Sequence, residues 1–123
     1  MKAITFEEWE EMRSIFHCPM GFTNVWERNP LKGSERLTVA ANGGKVMHLN
    51  QKPLDLMRLI IEATSNVHDT VWEPFGGLFS ASLAARQTGR MSFAGEIDPT
   101  YFQLGLSRLM APVQPTLGYS TTG

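Results

Sequence analysis

The feature of this 123-residue sequence that most constrains its fold is a pair of glycines between two short apolar segments. Thr70 to Trp72 is short, apolar and rich in β-formers, which predicts a buried strand, and Gly76-Gly77 ends it. The alanine-rich stretch from Ser80 to Thr88 predicts a helix, and Met91 to Gly95 predicts a second strand that closes at Glu96. Two strands joined by a helical crossover are expected to be parallel, with a right-handed connection. The pattern therefore predicts an α/β sheet of the nucleotide-binding kind.

The first third of the chain predicts one helix followed by irregular structure. A Thr5–Glu8 capping box precedes apolar residues at helical spacing, which predicts a helix from Phe6 to Phe16 with its aromatic side chains in a core. The stretch from Phe22 to Gly44 contains several turn signals, among them Asn42-Gly43-Gly44, and is expected to be irregular.

Two further helices are predicted downstream. Pro53 suits the first turn of a helix, for which Asn50 is the expected N-cap, and an apolar stripe follows it. Pro99 is expected to begin the last helix, which ends near Met110. Residues 111–123 are rich in Pro, Gly and hydroxyl side chains, which is typical of a loose tail.

Charge and composition narrow the function classes. Eleven Lys and Arg against 12 Asp and Glu give a net charge of -1, which excludes a protein that holds nucleic acid mainly by its global charge. Arg28, Lys32 and Arg36 form a small basic cluster in a loop, and both a solvated surface and a phosphate contact stay open for it. The single cysteine excludes an internal disulfide and a multi-cysteine zinc site, and it fits a cytoplasmic protein. The scattered histidines predict no metal site, and no apolar run reaches the length of a membrane span.

The glycine turn after the first predicted strand and the glutamate after the second strand together predict a ligand-binding site. Gly76-Gly77 allows a sharp turn at the carboxyl end of a strand and close approach of a ligand to the backbone. Glu96 ends the next strand about 20 residues later, where an acid can accept hydrogen bonds from two ribose hydroxyls. A nucleoside-containing ligand fits both features, while an ordinary strand–helix turn with a surface acid remains the alternative. No Gly-Lys-Ser/Thr follows, so a P-loop is excluded, and the missing Gly-x-Gly-x-x-Gly spacing disfavours a generic NAD-binding enzyme.

Three segments in this order resemble the C-terminal, cofactor-binding half of site-specific DNA amino-methyltransferases. They are His48-Leu49-Asn50-Gln51-Lys52-Pro53, Trp72-Glu73-Pro74-Phe75-Gly76-Gly77 and Gly95-Glu96-Ile97-Asp98-Pro99-Thr100-Tyr101. The resemblance implies a partial Rossmann-like methyltransferase sheet that binds S-adenosylmethionine. It further implies methylation of adenine N6 or cytosine N4 in double-stranded DNA, as in restriction-modification.

The resemblance also implies roles for individual residues. Residues 73–77 match the loop that holds the methionine part of the cofactor, Glu96 matches the ribose-binding acid, and Lys52 is expected to pair with the cofactor carboxylate. The expected cofactor-binding residues are Lys52, Pro53, Glu73, Pro74, Phe75, Gly76, Gly77, Glu96 and Asp98, and the expected DNA-binding residues are Arg28, Lys32 and Arg36. Leu78-Phe79-Ser80 departs from the more usual Gly- and Thr-containing continuation of the loop.

The catalytic motif of the family is not found in the sequence. That motif is Asp, Asn or Ser followed by Pro-Pro and an aromatic residue that stacks on the flipped base, and no two of the seven prolines here are adjacent. The chain is therefore expected to contain no catalytic residues and to be inactive alone, as a fragment or one part of a split enzyme. Its expected partners are DNA and an upstream-encoded catalytic half or a second copy of itself. The alternative is a non-catalytic remnant that binds a nucleoside cofactor or dimerises.

These expectations divide the chain into three parts. Residues 1–47 are expected to hold the N-terminal helix and the end of a DNA-recognition-like region. Residues 48–110 are expected to form the S-adenosylmethionine-binding α/β half-domain, and residues 111–123 the tail.

Overall fold

The computed structural model describes residues 3–13, 16–17, 25–26, 28–32, 35–41, 44–47 and 50–112, with only the main chain for 38–41 and 44–47. Within these ranges the elements in chain order are α1 (Phe6–Met12), β1 (Thr38–Ala41), β2 (Gly44–Met47), α2 (Leu54–Thr64), β3 (Thr70–Glu73), α3 (Ser80–Gln87), β4 (Met91–Ala94) and α4 (Pro99–Met110). None of the helices in these ranges has the length and apolar character needed to cross a membrane.

The parallel pair that the sequence predicts is present. β3 and β4 run parallel, with Thr70 opposite Met91 and Glu73 opposite Ala94, and α3 connects them. α3 stops where Gly89 adopts a φ of 76°, which is the left-handed conformation expected after a helix C-terminus. The predicted α/β class is therefore confirmed by the order of elements and the direction of the strands.

The core of the described chain lies around α3. Leu83, Ala84 and Ala85 of α3 are buried, and Ile61 of α2 packs with the two alanines. Val71 of β3 contributes a partly buried side chain to the same cluster. Alanine side chains are small, so α2 approaches α3 closely, and one face of the β3–β4 pair completes the cluster.

The opposite face of β3 and β4 is open, which corrects the expectation of a buried strand. Exposed and half-buried residues alternate along both strands, as they must when a sheet is covered on one side. Trp72 and Phe93 are cross-strand partners and are each 66% exposed, and Met91 is 61% exposed. Within the described ranges, α3 covers one side of this two-stranded sheet and no element covers the other.

The N-terminal helix is shorter and more exposed than the sequence suggests. The Thr5–Glu8 capping box is confirmed, with reciprocal bonds of 3.1 and 2.8 Å, but α1 ends at Met12 and not at Phe16. The aromatic side chains expected in a core are on the surface, since Phe6 is 71% and Trp9 45% exposed. A seven-residue helix without buried residues lacks the tertiary packing that usually stabilises a helix, which explains its early end.

The region expected to be irregular contains a β-hairpin. β1 and β2 pair antiparallel, with Thr38 opposite Met47 and Ala41 opposite Gly44, and Asn42-Gly43 lies between them in the sequence. The Asn-Gly pair is a strong hairpin signal, and the four-residue strands carry too little alternation to be recognised on their own.

The predicted C-terminal tail cannot be compared with the structure beyond its first two residues, because residues 113–123 lie outside the described ranges.

The beginning of α2 also differs from the prediction. Pro53 itself is the N-cap residue, and no side chain caps this helix, so Asn50 does not have the expected role. Proline has no side-chain acceptor for the free N–H groups of the first turn, and the acidic Asp55 in that turn interacts favourably with the positive end of the helix dipole.

Candidate cofactor-binding site

Two loops leave the carboxyl ends of β3 and β4 side by side. Hydrogen bonding between the strands continues past their ends, because the N–H of Gly95 donates to the carbonyl of Glu73 at 3.0 Å. The N–H of Gly76 then donates to the carbonyl of Gly95 at 2.7 Å. The loop after β3 and the loop after β4 are therefore joined by backbone hydrogen bonds where they begin.

Glu96 links these loops through both of its carboxylate oxygens. Oε2 accepts the N–H of Gly77 at 2.7 Å, and Oε1 accepts the N–H of Asp98 at 2.8 Å. Gly77 has a φ of 54°, which a glycine adopts without strain, so the turn aims its N–H at the carboxylate. The turn and the acid that the sequence singles out are thus in direct contact.

The environment of Glu96 favours its ionised form. The N–H of Asp98 lowers the pKa of the Glu96 carboxyl most strongly, and the N–H groups of Gly77 and Ile97 lower it further. Partial burial and the charge of Asp98 raise it, but the net shift is downward. Each carboxylate oxygen has two lone pairs, so an oxygen that accepts one N–H can still accept a ligand hydroxyl.

Glu73 caps the N-terminus of α3. Its carboxylate accepts the N–H of Ala81 at 3.1 Å, and the N–H and hydroxyl of Ser82 at 2.8 and 2.6 Å. Phe79 occupies the N-cap position and provides no capping side chain, so Glu73 takes over this role from the preceding strand. The structure thus places the Glu73 carboxylate on the helix terminus beneath the loop, a contact that the sequence reasoning missed.

Phe79 is a buried residue in a left-handed conformation. Its φ is 53° and its exposed fraction is 2%. Its ring packs edge-on against the ring of Phe102, with 5.7 Å between the ring centroids. A Cβ on Gly76 would come within 2.3 Å of the ring, and a Cβ on Gly105 within 2.5 Å. The unusual Leu78-Phe79-Ser80 continuation therefore places an aromatic ring beneath the loop, wedged between two glycines. A glycine in a helix interior, as at position 105, is the sequence signal that points to such close packing.

Apolar side chains project from both loops beside the Gly77–Glu96 contact. Phe75 is 94% exposed and Ile97 is 99% exposed, and Pro74 is exposed as well. Phe75 precedes the glycine turn, and Ile97 directly follows Glu96. Side chains of this kind provide flat apolar surface next to a hydrogen-bonding carboxylate, which suits a nucleobase with its ribose.

Lys52 and Asp98, two of the predicted cofactor-binding residues, both have structural contacts. Lys52 is exposed, and its carbonyl accepts the hydroxyl of Ser80 at 3.1 Å, which fixes the segment before Pro53 to the start of α3. Asp98 caps α4, because its Oδ1 accepts the N–H groups of Thr100 and Tyr101 at 2.8 and 3.0 Å. The sequence reasoning assigned Asp98 to the cofactor and missed this capping role.

Comparison with known proteins identifies the family. Residues 10–107 match the DNA methylase family of N6 and N4 methyltransferases. The chain belongs to this family. Its resemblance to DNA amino-methyltransferases, predicted from three short segments, is thereby confirmed, and S-adenosylmethionine is the cofactor of that family.

Individual relatives of this chain are considerably longer. It is 42% identical over 62 residues to the DNA adenine methyltransferase YhdJ of Escherichia coli strain K12, covering 50% of this chain and 21% of that protein. It is 30% identical over 86 residues to the type II methyltransferase M.HinfI of Haemophilus influenzae, covering 70% and 23%. The crystal structure of the M1.HpyAVI–SAM complex is similar with a TM-score of 0.59 and 25% identity, over 80% of this chain and 45% of that one. The chain therefore spans less than a quarter of these two curated relatives.

The described residues of the chain fit the cofactor of its family. An ionised carboxylate held by two backbone N–H groups suits a ribose with two hydroxyls, and the exposed Phe75 and Ile97 suit an adenine. An exposed lysine at position 52 suits a carboxylate. The roles of the nine predicted cofactor-binding residues remain predictions, and the carboxylates of two of them, Glu73 and Asp98, are used in helix caps.

The basic cluster of Arg28, Lys32 and Arg36 is partly neutralised by acids. Arg28 pairs with Glu35 at 2.5 Å and with Asp55 at 3.0 Å, and its hydrogen bond to Glu35 raises the pKa of the guanidinium and lowers the pKa of the carboxyl. Arg36 donates to the carbonyl of Leu31, and Lys32 is exposed. Contact of these three basic residues with DNA phosphates stays a prediction. Arg28 is the least suited of the three to such a contact, because its charge is already paired with two carboxylates.

Proposed function

We propose that this chain is the cofactor-binding part of an enzyme that methylates an exocyclic amine of adenine or cytosine in double-stranded DNA. The observation that carries the proposal is the 2.7 Å hydrogen bond between the Gly77 N–H and the Glu96 carboxylate. It joins the glycine turn of one parallel strand to the acid of the next, at the edge of an α/β sheet where nucleotide ligands bind. A DNA substrate also fits the cytoplasmic location expected from the sequence.

Each part of the cofactor has a suitable partner in the proposed site. The ribose hydroxyls would donate to the lone pairs of Glu96 that the backbone leaves available, and the faces of the adenine would contact Phe75 and Ile97. For Phe75 this replaces the contact with the methionine part that the resemblance implies, because its side chain is exposed beside the Gly77–Glu96 bond. The Lys52 ammonium pairs with the carboxylate of the methionine part. When bound, S-adenosylmethionine supplies an electrophilic methyl group on a cationic sulfonium. The residues of this chain bind and orient that group and leave its methyl carbon for the amine of a flipped base.

Titration calorimetry of the full 123-residue chain with S-adenosylhomocysteine tests this proposal. Glu96→Gln removes the charge and one of the two acceptor oxygens, so we expect the dissociation constant to rise about 10- to 100-fold. Glu62→Gln is the matched control, because Glu62 is an exposed acid of α2 whose nearest partner is Arg58 at 3.9 Å. Absence of binding to the unsubstituted chain, or equal affinity in the Glu96→Gln variant, contradicts the proposed site.

Methyl transfer is proposed to need the part of the fold that carries the catalytic motif. Two observations support this: no two prolines of the chain are adjacent, and the chain spans 21% and 23% of two curated relatives. The exposed apolar face of Trp72, Met91 and Phe93 is a suitable docking surface for that missing part. We therefore propose that an upstream-encoded polypeptide with the Pro-Pro-aromatic motif completes the enzyme.

A transfer assay with labelled S-adenosylmethionine and mixed-sequence duplex DNA tests this requirement. The chain alone is expected to give no turnover, and addition of the upstream-encoded polypeptide is expected to restore it. Turnover by the chain alone contradicts the proposal. Light scattering that shows a stable dimer of this chain, without transfer in any mixture, favours instead a non-catalytic module that uses the same apolar face to self-associate.

A further inference from the structure

Arg108 of α4 lies against the beginning of α3, outside the residues assigned to the cofactor. Its Nη1 donates to the carbonyl of Leu78 at 3.0 Å and to the hydroxyl oxygen of Ser80 at 2.9 Å. The side chain is partly buried, which lowers the pKa of the guanidinium, and the charge of Glu73 partly offsets this. A guanidinium taken from water needs well-placed acceptors, and these two oxygens provide them.

Ser80 connects Arg108 to the segment that precedes α2. Its hydroxyl accepts from Arg108 and donates its own hydrogen to the carbonyl of Lys52 at 3.1 Å. Ser80 is only 4% exposed, so water does not compete freely for these bonds. One chain of hydrogen bonds thus runs from α4 through the start of α3 to the backbone of Lys52.

We propose that Arg108 is a positioning residue for the amino-acid half of the cofactor, acting through Ser80 on Lys52. This inference rests on the proposed function, because it takes Lys52 as the partner of the cofactor carboxylate. The adenosine half is held by a different set of contacts, in which Glu96 binds the N–H groups of Gly77 and Asp98. Loss of Arg108 should therefore affect one half of the cofactor and spare the other.

Two ligands separate the halves in a calorimetric titration of the full chain. S-adenosylhomocysteine carries the amino-acid group, and 5′-methylthioadenosine lacks it but keeps the adenosine and the thioether. For Arg108→Gln we expect the dissociation constant of S-adenosylhomocysteine to rise about 5- to 10-fold, and that of methylthioadenosine to change less than about 2-fold. Ser80→Ala should have the same selective effect, and the double variant should be no worse than Arg108→Gln alone, because both substitutions break the chain of bonds through Ser80 and only Arg108→Gln also loses the bond to the Leu78 carbonyl.

Arg86→Gln is the matched control for the packing of α3 on α4. Arg86 of α3 donates to the carbonyls of Leu109 and Ala111, so it ties the same two helices together at the end remote from the loops. We expect this variant to bind both ligands as the unsubstituted chain does. Thermal unfolding of each variant shows whether the fold is retained, and Arg108→Lys, which keeps the charge, serves if Arg108→Gln does not fold.

The outcomes distinguish failure of this inference from failure of the proposed function. If the unsubstituted chain binds neither ligand, the proposed function is refuted, and the inference that rests on it is refuted as well. If it binds both, and Arg108→Gln weakens them equally or weakens neither, the proposed site stands and the positioning role is refuted. An unchanged affinity of Ser80→Ala for S-adenosylhomocysteine likewise refutes transmission through Ser80.

Discussion

Replacement of Gly76 by alanine tests the packing beneath the glycine turn. The new Cβ would lie 2.3 Å from Cδ1 of Phe79, which is well over 1 Å short of the ordinary carbon–carbon contact distance of about 3.5–4.0 Å. The ring cannot move away freely, because its other side faces Gly105, where a Cβ would come within 2.5 Å, and Phe102 packs against it as well. We expect a loss of about 2 kcal/mol of unfolding free energy, within the range of about 1–3 kcal/mol typical of overpacked cores.

Urea denaturation followed by tryptophan fluorescence measures this loss. With a slope of about 1.5 kcal/mol per M, the transition midpoint should fall by roughly 1 M. Gly95→Ala is the matched control, because its Cβ would meet only the Pro74 carbonyl at 3.4 Å, and we expect it to stay within about 0.5 kcal/mol. Phe79→Leu in the Gly76→Ala background should recover part of the loss. Equal destabilisation by the two alanines, or the absence of coupling with position 79, would refute the steric explanation.

Three further predictions follow from the same region. Gly105→Ala should destabilise the chain in urea although alanine is the better helix former, because its Cβ meets the Phe79 ring; a higher midpoint contradicts this. Glu73→Gln should cost about 1–3 kcal/mol in the same assay, because one amide oxygen cannot replace both carboxylate oxygens at the start of α3 and the charge near Arg108 is lost. Since the folded pKa of Glu96 lies below its ordinary value of 4.5, its contribution is fully present above about pH 4.5 and is lost as the pH falls through the lowered pKa. The difference in midpoint between the unsubstituted chain and Glu96→Gln should therefore be constant from about pH 6 to 8 and shrink in acid, and a decline centred near neutral pH argues against this.

The second half of the fold was predictable because local signals mark its boundaries. Pro99 begins α4, and α4 ends at Met110, as the sequence predicts. Gly89 adopts the left-handed conformation that its position after α3 suggests. Strands β3 and β4 each differ from the prediction by one residue at their ends. Glycine and proline act through their own backbone geometry, so their effects can be read without knowledge of the tertiary structure.

The remaining features depend on contacts between residues distant in sequence. The capping of α3 by Glu73 and the wedging of Phe79 against Gly105 require that a strand, a loop and a later helix come together. The contact of Arg108 with Ser80 spans 28 residues and has no local signature. The exposure of Phe6 and Trp9 likewise reflects what packs against α1 and not the periodicity of the helix itself. Periodicity predicts which residues share a face, but only the tertiary structure determines whether that face is covered.

The carboxyl edge and the open face of the β3–β4 pair differ in how fully their groups are paired or covered by the described residues. At the carboxyl edge, the Glu96 carboxylate accepts the N–H groups of Gly77 and Asp98, and Asp98 caps α4, so these polar groups are paired with one another. On the open face, Trp72 and Phe93 lie across from each other with most of their surface in water, an arrangement that favours association. In the proposed function, cofactor binding uses the edge of the sheet and docking of the catalytic part uses its face, so variants of the two surfaces should affect the two properties separately. On that proposal, a chain without the catalytic motif still contains the glycine turn and the acid that would hold a nucleoside.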